Sequence, residues 1–385
     1  MIARSDCEVV YSPGGTALAV QIDSTVGALY GRAIETAARS AAAECEVTVG
    51  RLTIRDDGAL DVVVAARVEA ALREAGFHRR APASGRTASR RPPQRERRRR
   101  SRLYIPGNQP DFLPNSGLFG ADCIILDLED SVPPPSKEAA RILVRRVIES
   151  HAAFFRDSEI IVRINPLSGP WGVADVVELS RCLPDAIILP KCDTSDRVRA
   201  LDRQLGRLER LAGLPASTLI LPLVETASGV LAAASVAAAS LRVAGICFGA
   251  EDFAADIGAR RTADGTEALL ARQTIVLGAR AAGVQALDSV FSDVDDTEGF
   301  LAYCAQSRAM GFDGVGVVHP RQVPIANQQF SPSVEEVEQA RRIVAALEEA
   351  EARGMGVASL DGTMIDAPVA ARARRVLANS APRGP

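Results

Sequence analysis

Two stretches, Leu221-Pro-Leu-Val-Glu-Thr226 and Gly249-Ala-Glu-Asp-Phe253, decide how the chain is read. Each sits where an apolar, β-branched run gives way to a helical pattern. In a parallel α/β protein such positions lie at the carboxyl ends of the strands, so Glu225 and Asp252 are expected on one rim. A buried carboxylate is costly unless a cation or a hydrogen-bond donor meets it. One such residue alone reads as an N-cap for the helix that follows. Two of them, with Arg163 upstream, favour a metal. Hard oxygen ligands from separate strands suit Mg²⁺, which keeps several waters and shares its sphere with a substrate.

Working outward, apolar strand patterns recur at 102–106, 123–130, 159–165, 186–191, 218–226, 243–252, 285–290 and 313–319. Helical patterns separate most of them, at 136–150, 172–182, 194–212, 227–240, 265–282, 295–310 and 333–353. This alternation is the pattern of a (β/α)₈ TIM barrel, placed at 102–354. A doubly wound sheet is the competing reading. It lacks a Gly-rich phosphate turn after the first strand, and Gly314-Val-Gly316 precedes no helix start. Residues 355–385 follow a barrel that is already closed, so they are expected on its outside or against a neighbouring subunit.

Residues 1–76 read as a small α+β domain. Cys7–Ser12 and Thr16–Ile22 are strand-like and meet at Pro13-Gly14-Gly15, a hairpin signal. A helix is expected from Ser24-Thr25 to about Ala43, then a strand at Val47–Ile54, a strand-like run Leu60-Asp-Val-Val-Val64, and a helix to Ala75. With no histidine before His78 and no carboxylate cluster beyond the Asp56-Asp-Gly58 turn, this domain reads as a binding or carrier module. Residues 77–101 are rich in Arg and Pro and cannot bury a core, so a linker is expected. An arginine run also raises nucleic-acid binding, but no aromatic residue is interleaved for base stacking.

Composition narrows the setting. A 385-residue chain with 47% apolar residues and a formal charge of −3 gives no global attraction to nucleic acid or membranes. No apolar run approaches the roughly 18 residues of a membrane span, and no signal-peptide core is visible at Met1–Asp6. The seven cysteines form no CxxC, which fits buried thiols in a cytoplasmic protein.

Polar residues end almost every barrel strand on one side. Arg102 marks the first, Asp127, Glu129 and Asp130 the second, Arg163 and Asn165 the third and Lys191 the fourth. Glu225, Asp252, Asp288 and His319 end the rest. Around one cavity these groups can neutralise one another, bind a cation and hold an anion. Arg163 offers a bidentate fork for a substrate carboxylate, and Mg²⁺ can polarise an α-keto oxygen. That is equipment for making or breaking a C–C bond beside an α-keto acid. Lys191 reads as a salt-bridge or anion-binding residue, with a Schiff-base role as the alternative.

At these residues the chain resembles the citrate lyase β-subunit group of the HpcH/HpaI aldolase family. The matching stretches are Arg102-Leu-Tyr-Ile-Pro-Gly107, Asp127-Leu-Glu-Asp-Ser131, Val162-Arg-Ile-Asn165, Trp171-Gly-Val-Ala-Asp175 and Leu189-Pro-Lys191. They continue through Val224-Glu-Thr226, Gly249-Ala-Glu-Asp252, Gln285-Ala-Leu-Asp288 and His319-Pro-Arg321 to Asp361-Gly-Thr-Met-Ile-Asp-Ala-Pro368. The resemblance implies Mg²⁺ on Glu225 and Asp252 and a substrate carboxylate on Arg163. Arg102, Glu129, Asp130, Lys191, Asp288 and His319, on the same rim, are the candidate substrate-binding residues. Asp366 would enter a neighbouring subunit's active site and transfer a proton at the acetyl carbon, so a homo-oligomer, a trimer or hexamer, is expected.

The small domain resembles the acyl carrier, or γ-subunit, of the same system. There a serine carries a phosphoribosyl-dephospho-CoA arm. Here Arg4 stands at that serine's position and Ser5 one residue on, so Ser5 is the candidate attachment site. The activity implied is cleavage of a citryl thioester, on the carrier or on free CoA, to oxaloacetate and an acetyl thioester. An α-type transferase subunit is an implied partner. A malyl- or citramalyl-CoA lyase is the alternative, since His319-Pro is similar to those stand-alone enzymes. A non-catalytic scaffold that uses the carrier fold and the arginine run is the reading outside the class.

Overall fold

The computed structural model describes residues 4–79, 93–213, 217–262 and 264–380. In the small domain, β1 (Cys7–Ser12), β2 (Leu18–Ser24), α1 (Gly27–Glu44), β3 (Gly50–Asp56) and α2 (Asp61–Glu74) form a three-stranded sheet backed by two helices. The expected hairpin is not formed. β3 lies between the other two, antiparallel to β1 and parallel to β2. Its alternate residues Leu52 and Ile54 are fully buried, so the most apolar strand takes the centre and the half-exposed strands take the edges.

In the run Leu60–Val64, Leu60 is an extended N-cap and Asp61–Val64 are the start of α2, not a strand. Val62 and Val63 pack into the cluster shared with the barrel, whereas Val64, Val68 and Leu72 face the small domain's own core. α2 is therefore apolar on two sides, and this hides its period in the sequence.

The larger domain is a closed barrel of eight parallel strands: β4 (Ser101–Pro106), β5 (Cys123–Asp127), β6 (Glu159–Arg163), β7 (Ala186–Leu189), β8 (Leu219–Val224), β9 (Gly245–Phe248), β10 (Gln285–Val290) and β11 (Gly314–Val317). Around it run α3 (Lys137–Ser150), α4 (Gly172–Leu179), α5 (Ser195–Leu211), α6 (Ala227–Leu231), α7 (Ala233–Ala237), α8 (Ala250–Asp256), α9 (Leu269–Ala281), α10 (Thr297–Met310) and α11 (Gln322–Gln329). Strands buried on both faces explain the continuous apolar runs in the sequence. Ile125, Ile161, Ile188 and Leu221 fill the barrel interior. Asp252 does not end a strand as expected. It lies in the first turn of α8.

The end of the expected linker is built into the fold. Residues 80–92 lie outside the described residues. Arg99, by contrast, is fully buried, with Nε and Nη2 donating to the Glu159 carboxylate at 2.7 Å each and Nη1 to Gln285 Oε1 at 2.6 Å. Arg100 donates to Asp122 at 2.8 and 2.9 Å. Glu159 and Gln285 open their strands, so these arginines close the end of the barrel opposite the rim. Held there, Arg99 and Arg100 belong to the fold and not to a linker.

The small domain is docked against α3 through α2. Glu69, fully buried, accepts from Arg73 at 2.7 Å, Arg145 at 2.5 Å and Arg146 at 2.6 Å. Arg73 and Arg145 both reach Glu178 of α4 as well. Burial pushes the Glu69 carboxyl up, but the three guanidiniums hold it below its ordinary range.

After the barrel come α12 (Val334–Ala352), a short hairpin of β12 (Ala358–Leu360) and β13 (Thr363–Ile365), and α13 (Ala367–Ser380). Leu347, Ile365 and Ala370 form a separate small core. Among the described residues, no helix is long and apolar enough to cross a membrane.

Candidate active site

A cavity of about 330 Å³ opens at the carboxyl ends of the strands, lined by Arg102, Tyr104, Arg163, Glu225, Asp252 and their neighbours. Glu225 follows β8 directly and is buried. Its Oε1 accepts the Lys191 backbone N–H at 2.7 Å and lies 3.5 Å from the Lys191 ammonium, which is 2.7 Å from Asp252 Oδ1. Lys191 holds a left-handed backbone (φ 51°), a strained conformation of the kind that persists where surrounding structure fixes it at a functional site. A Cβ on Gly249 would meet Glu225 Oε2 at 2.7 Å, so only glycine lets the turn from β9 into α8 pass this close to the carboxylate.

The electrostatics show a surplus of buried negative charge. Burial pushes Glu225 up to about 7, against the opposing pull of Lys191. Burial likewise pushes Glu129 up to about 8, with Asp130 and Glu225 adding to the rise. Glu129 Oε2 is 2.9 Å from Arg163 Nη1, yet it receives no aligned hydrogen bond.

Glu225 and Asp252 therefore converge on one cation, here the ammonium of Lys191. Among the described residues no group of three or more His, Cys, Asp or Glu is arranged to hold a metal. Two carboxylate ligands still fit Mg²⁺, which completes its sphere with water and substrate. The residues present fit such an ion.

Arg163 departs from expectation. Nε and Nη2 donate to both oxygens of Asp127 at 2.6 and 2.7 Å, its register partner on β5, and its guanidinium stacks 5.4 Å from the Tyr104 ring centroid. The bidentate fork expected for a substrate carboxylate is closed by Asp127. Nη1 is the part left facing Glu129 and Asp130, the latter at 3.6 Å.

Asp288 is also committed elsewhere. Its Oδ2 accepts from Arg272 at 2.6 and 3.1 Å and from Ser307 at 2.6 Å, and its Oδ1 accepts the Ser289 N–H. Its backbone carbonyl accepts from Arg102 Nη2 at 2.5 Å. His319 accepts the Arg321 N–H on Nδ1 at 3.1 Å, a cap on the turn before α11, and is not among the residues lining the cavity.

Asp366 lies outside this cavity, at the start of α13, where its Oδ1 accepts the Val369 N–H at 3.1 Å. Ser5 sits in a left-handed turn (φ 62°) with its N–H on Asp57 O at 2.9 Å, beside Asp6, which is doubly bonded to Arg67. Sequence reasoning did not single out Tyr104 or Arg272. The signal for Tyr104 was available, since positions 102, 104 and 106 of a barrel strand share its inner face.

Residues 100–320 match the family model described as HpcH/HpaI aldolase/citrate lyase, and residues 1–75 match that of malonate decarboxylase delta subunit (MdcD). The small domain is thus acyl-carrier-like. Citrate lyase subunit beta of Escherichia coli (strain K12) is 40% identical over 288 residues, which cover 74% of this chain and 95% of that protein. A (3S)-malyl-CoA thioesterase of Cereibacter sphaeroides is 39% identical over 283 residues, covering 73% of this chain and 94% of that protein. Among solved structures, protein CitE from Mycobacterium tuberculosis in complex with magnesium, acetoacetate and coenzyme A matches with a TM-score of 0.62 and 31% identity. That match covers 74% of this chain and 99% of that chain.

Proposed function

The chain belongs to the HpcH/HpaI aldolase/citrate lyase family and is a carbon–carbon lyase, and from that premise we propose that it cleaves a citryl thioester to oxaloacetate and an acetyl thioester. The observation that carries this reading is the convergence of Glu225 and Asp252 on a single cation at the mouth of the barrel. These two residues would hold Mg²⁺, with Lys191 displaced toward the substrate. When bound, the ion supplies a positive charge beside the oxygen that becomes the keto group. Magnesium and coenzyme A in the M. tuberculosis CitE complex support both cofactor and thioester class.

The chain's own groups supply the rest. The buried walls exclude water from the reacting carbons. Arg163, locked to Asp127 and Tyr104, positions Glu129 and Asp130 at the cavity edge. The citryl hydroxyl gives its proton to a carboxylate at the cavity edge, Glu129 or Asp130, as the new carbonyl forms and the C–C bond breaks. The electron pair passes to the acetyl carbon, where Asp366 of an adjacent subunit delivers a proton.

That assignment makes the enzyme a homo-oligomer, a trimer or hexamer. Its support is the exposed apolar surface: Met355, Val357 and Met364 on the C-terminal extension that carries Asp366, and Leu231, Leu270 and Leu277 on the packed helices α6 and α9. The small domain would present the acyl group on an arm at Ser5, loaded by a separate transferase subunit, or the enzyme would take free CoA esters.

Cleavage of citryl-, malyl- and citramalyl-CoA with Mg²⁺, followed by the 2-oxo acid released, tests the substrate. Oxaloacetate from citryl-CoA is the expected major product. Activity confined to malyl- or citramalyl-CoA overturns the citryl assignment.

A further inference from the structure

Arg102 is 1% exposed, and two of its guanidinium nitrogens, Nε and Nη1, have no hydrogen-bond partner. Nη2 alone is bonded, to the Asp288 carbonyl. Among the described residues no carboxylate pairs with it. This sets it apart from the other buried arginines of the barrel: Arg99 has Glu159, Arg145 has Glu69 and Glu178, and Arg272 has Asp288. A buried guanidinium left in this state is costly, and no neighbouring side chain offsets the cost.

Its position gives it a use. Arg102 lies on the inner face of β4, two residues deeper than Tyr104, and it lines the same cavity as Glu225 and Asp252. Its register partners are small, Cys123 on β5 and Gly316 on β11, which leaves room for the side chain inside the barrel. Of the other cations nearby, Arg163 is bonded bidentately to Asp127 and Lys191 is paired with Asp252. The cavity thus has a carboxylate end that calls for a cation and a guanidinium end that calls for an anion.

We propose that Arg102 is the specificity-determining residue of the lyase, receiving on Nε and Nη1 the second, distal carboxylate of the 2-oxo acid. This rests on the citryl-thioester reading, because the three candidate substrates differ at this point. Citryl cleavage releases oxaloacetate, which carries a distal carboxylate. Citramalyl cleavage releases pyruvate, which has a methyl group there, and malyl cleavage releases glyoxylate, which has a hydrogen. A site that pairs a buried polar group with the substrate rejects analogues lacking the partner far more strongly than an apolar pocket does.

The test uses the full chain in Mg²⁺ buffer, as wild type, Arg102→Met and Arg102→Lys. The ratio of kcat/KM for citryl-CoA over malyl-CoA is read together with calorimetric binding of oxaloacetate and of pyruvate. In Arg102→Met the kinetic ratio is expected to fall on the order of 100-fold, and the preference for oxaloacetate over pyruvate to collapse, with part of both restored by Arg102→Lys. A wild type that cleaves citryl-CoA, with both ratios unchanged in Arg102→Met, overturns the role of Arg102 and leaves the lyase reading standing. A wild type that does not cleave citryl-CoA, yet prefers oxaloacetate in an Arg102-dependent way, overturns the citryl reading and supports the anion site.

Discussion

Replacing Arg145 by Met tests how the small domain is held. Arg145 is fully buried and bonds Glu69 across the domain contact, Glu178 on α4 and Glu149 on its own helix. Its loss strips a shared counter-ion from two buried carboxylates, Glu69 and Glu178. Glu69 keeps Arg73 and Arg146 and Glu178 keeps Arg73, but three buried charge-assisted bonds vanish outright, which together cost about 3–5 kcal/mol. Glu69→Gln is gentler, because the amide oxygen still accepts and every arginine keeps another carboxylate: Arg73 has Glu138 and Glu178, Arg145 has Glu149 and Glu178, and Arg146 has Glu44. Weakening three charge-assisted bonds without orphaning a charge costs about 1–3 kcal/mol.

Hydrogen exchange read by mass spectrometry on α2 separates the two variants, because undocking exposes the helix as a local unit. At about 1.4 kcal/mol per tenfold, exchange of α2 amides should rise by roughly two to three orders of magnitude in Arg145→Met and by about tenfold to a hundredfold in Glu69→Gln. Equal effects from the two, or unchanged protection of α2 in both, would refute the idea that buried charge pairing fixes the carrier-like domain on the barrel.

Three other outcomes follow. Glu225 carries a folded-state pKa raised to about 7, so without metal its contribution to stability is present below the ordinary carboxylate range and lost as pH rises toward 7. Mg²⁺ should therefore raise the melting temperature more at pH 8 than at pH 6, and equal shifts would contradict a proton-competing carboxylate site. Asp366→Asn should lower kcat by on the order of 100-fold, the scale of a general acid. Mixing it with inactive Glu225→Gln subunits under exchange conditions should restore part of the activity, and failure to complement would place both residues in one subunit. Intact mass of the native protein should show an added arm, absent in Ser5→Ala, and an unmodified wild type would leave free CoA esters as the substrate.

The barrel was legible because eight apolar runs alternate with helical periods at the spacing a closed parallel sheet requires. The pairing of Glu225 and Asp252 was legible for the same reason, even though Asp252 sits in α8 rather than at a strand end. What was hidden depends on contacts between distant residues. Pro13-Gly14-Gly15 signals a turn but not which strand fills the space between β1 and β2. Leu60–Val64 reads as a strand because a helix buried on two sides shows no single apolar stripe. The arginine run reads as solvated until Glu159 and Asp122, far along the chain, are brought beneath it. Arg163 looked free to bind substrate because nothing in the sequence pairs it with Asp127.

Calorimetric titration of Mg²⁺ into the wild type, Glu225→Gln and Asp252→Asn bears on the central claim most directly. One Mg²⁺ per chain is expected in the wild type, with affinity lost in both variants while hydrogen exchange of the barrel strands stays as in the wild type. Undiminished binding in either variant would contradict the assignment of the two carboxylates to one cation.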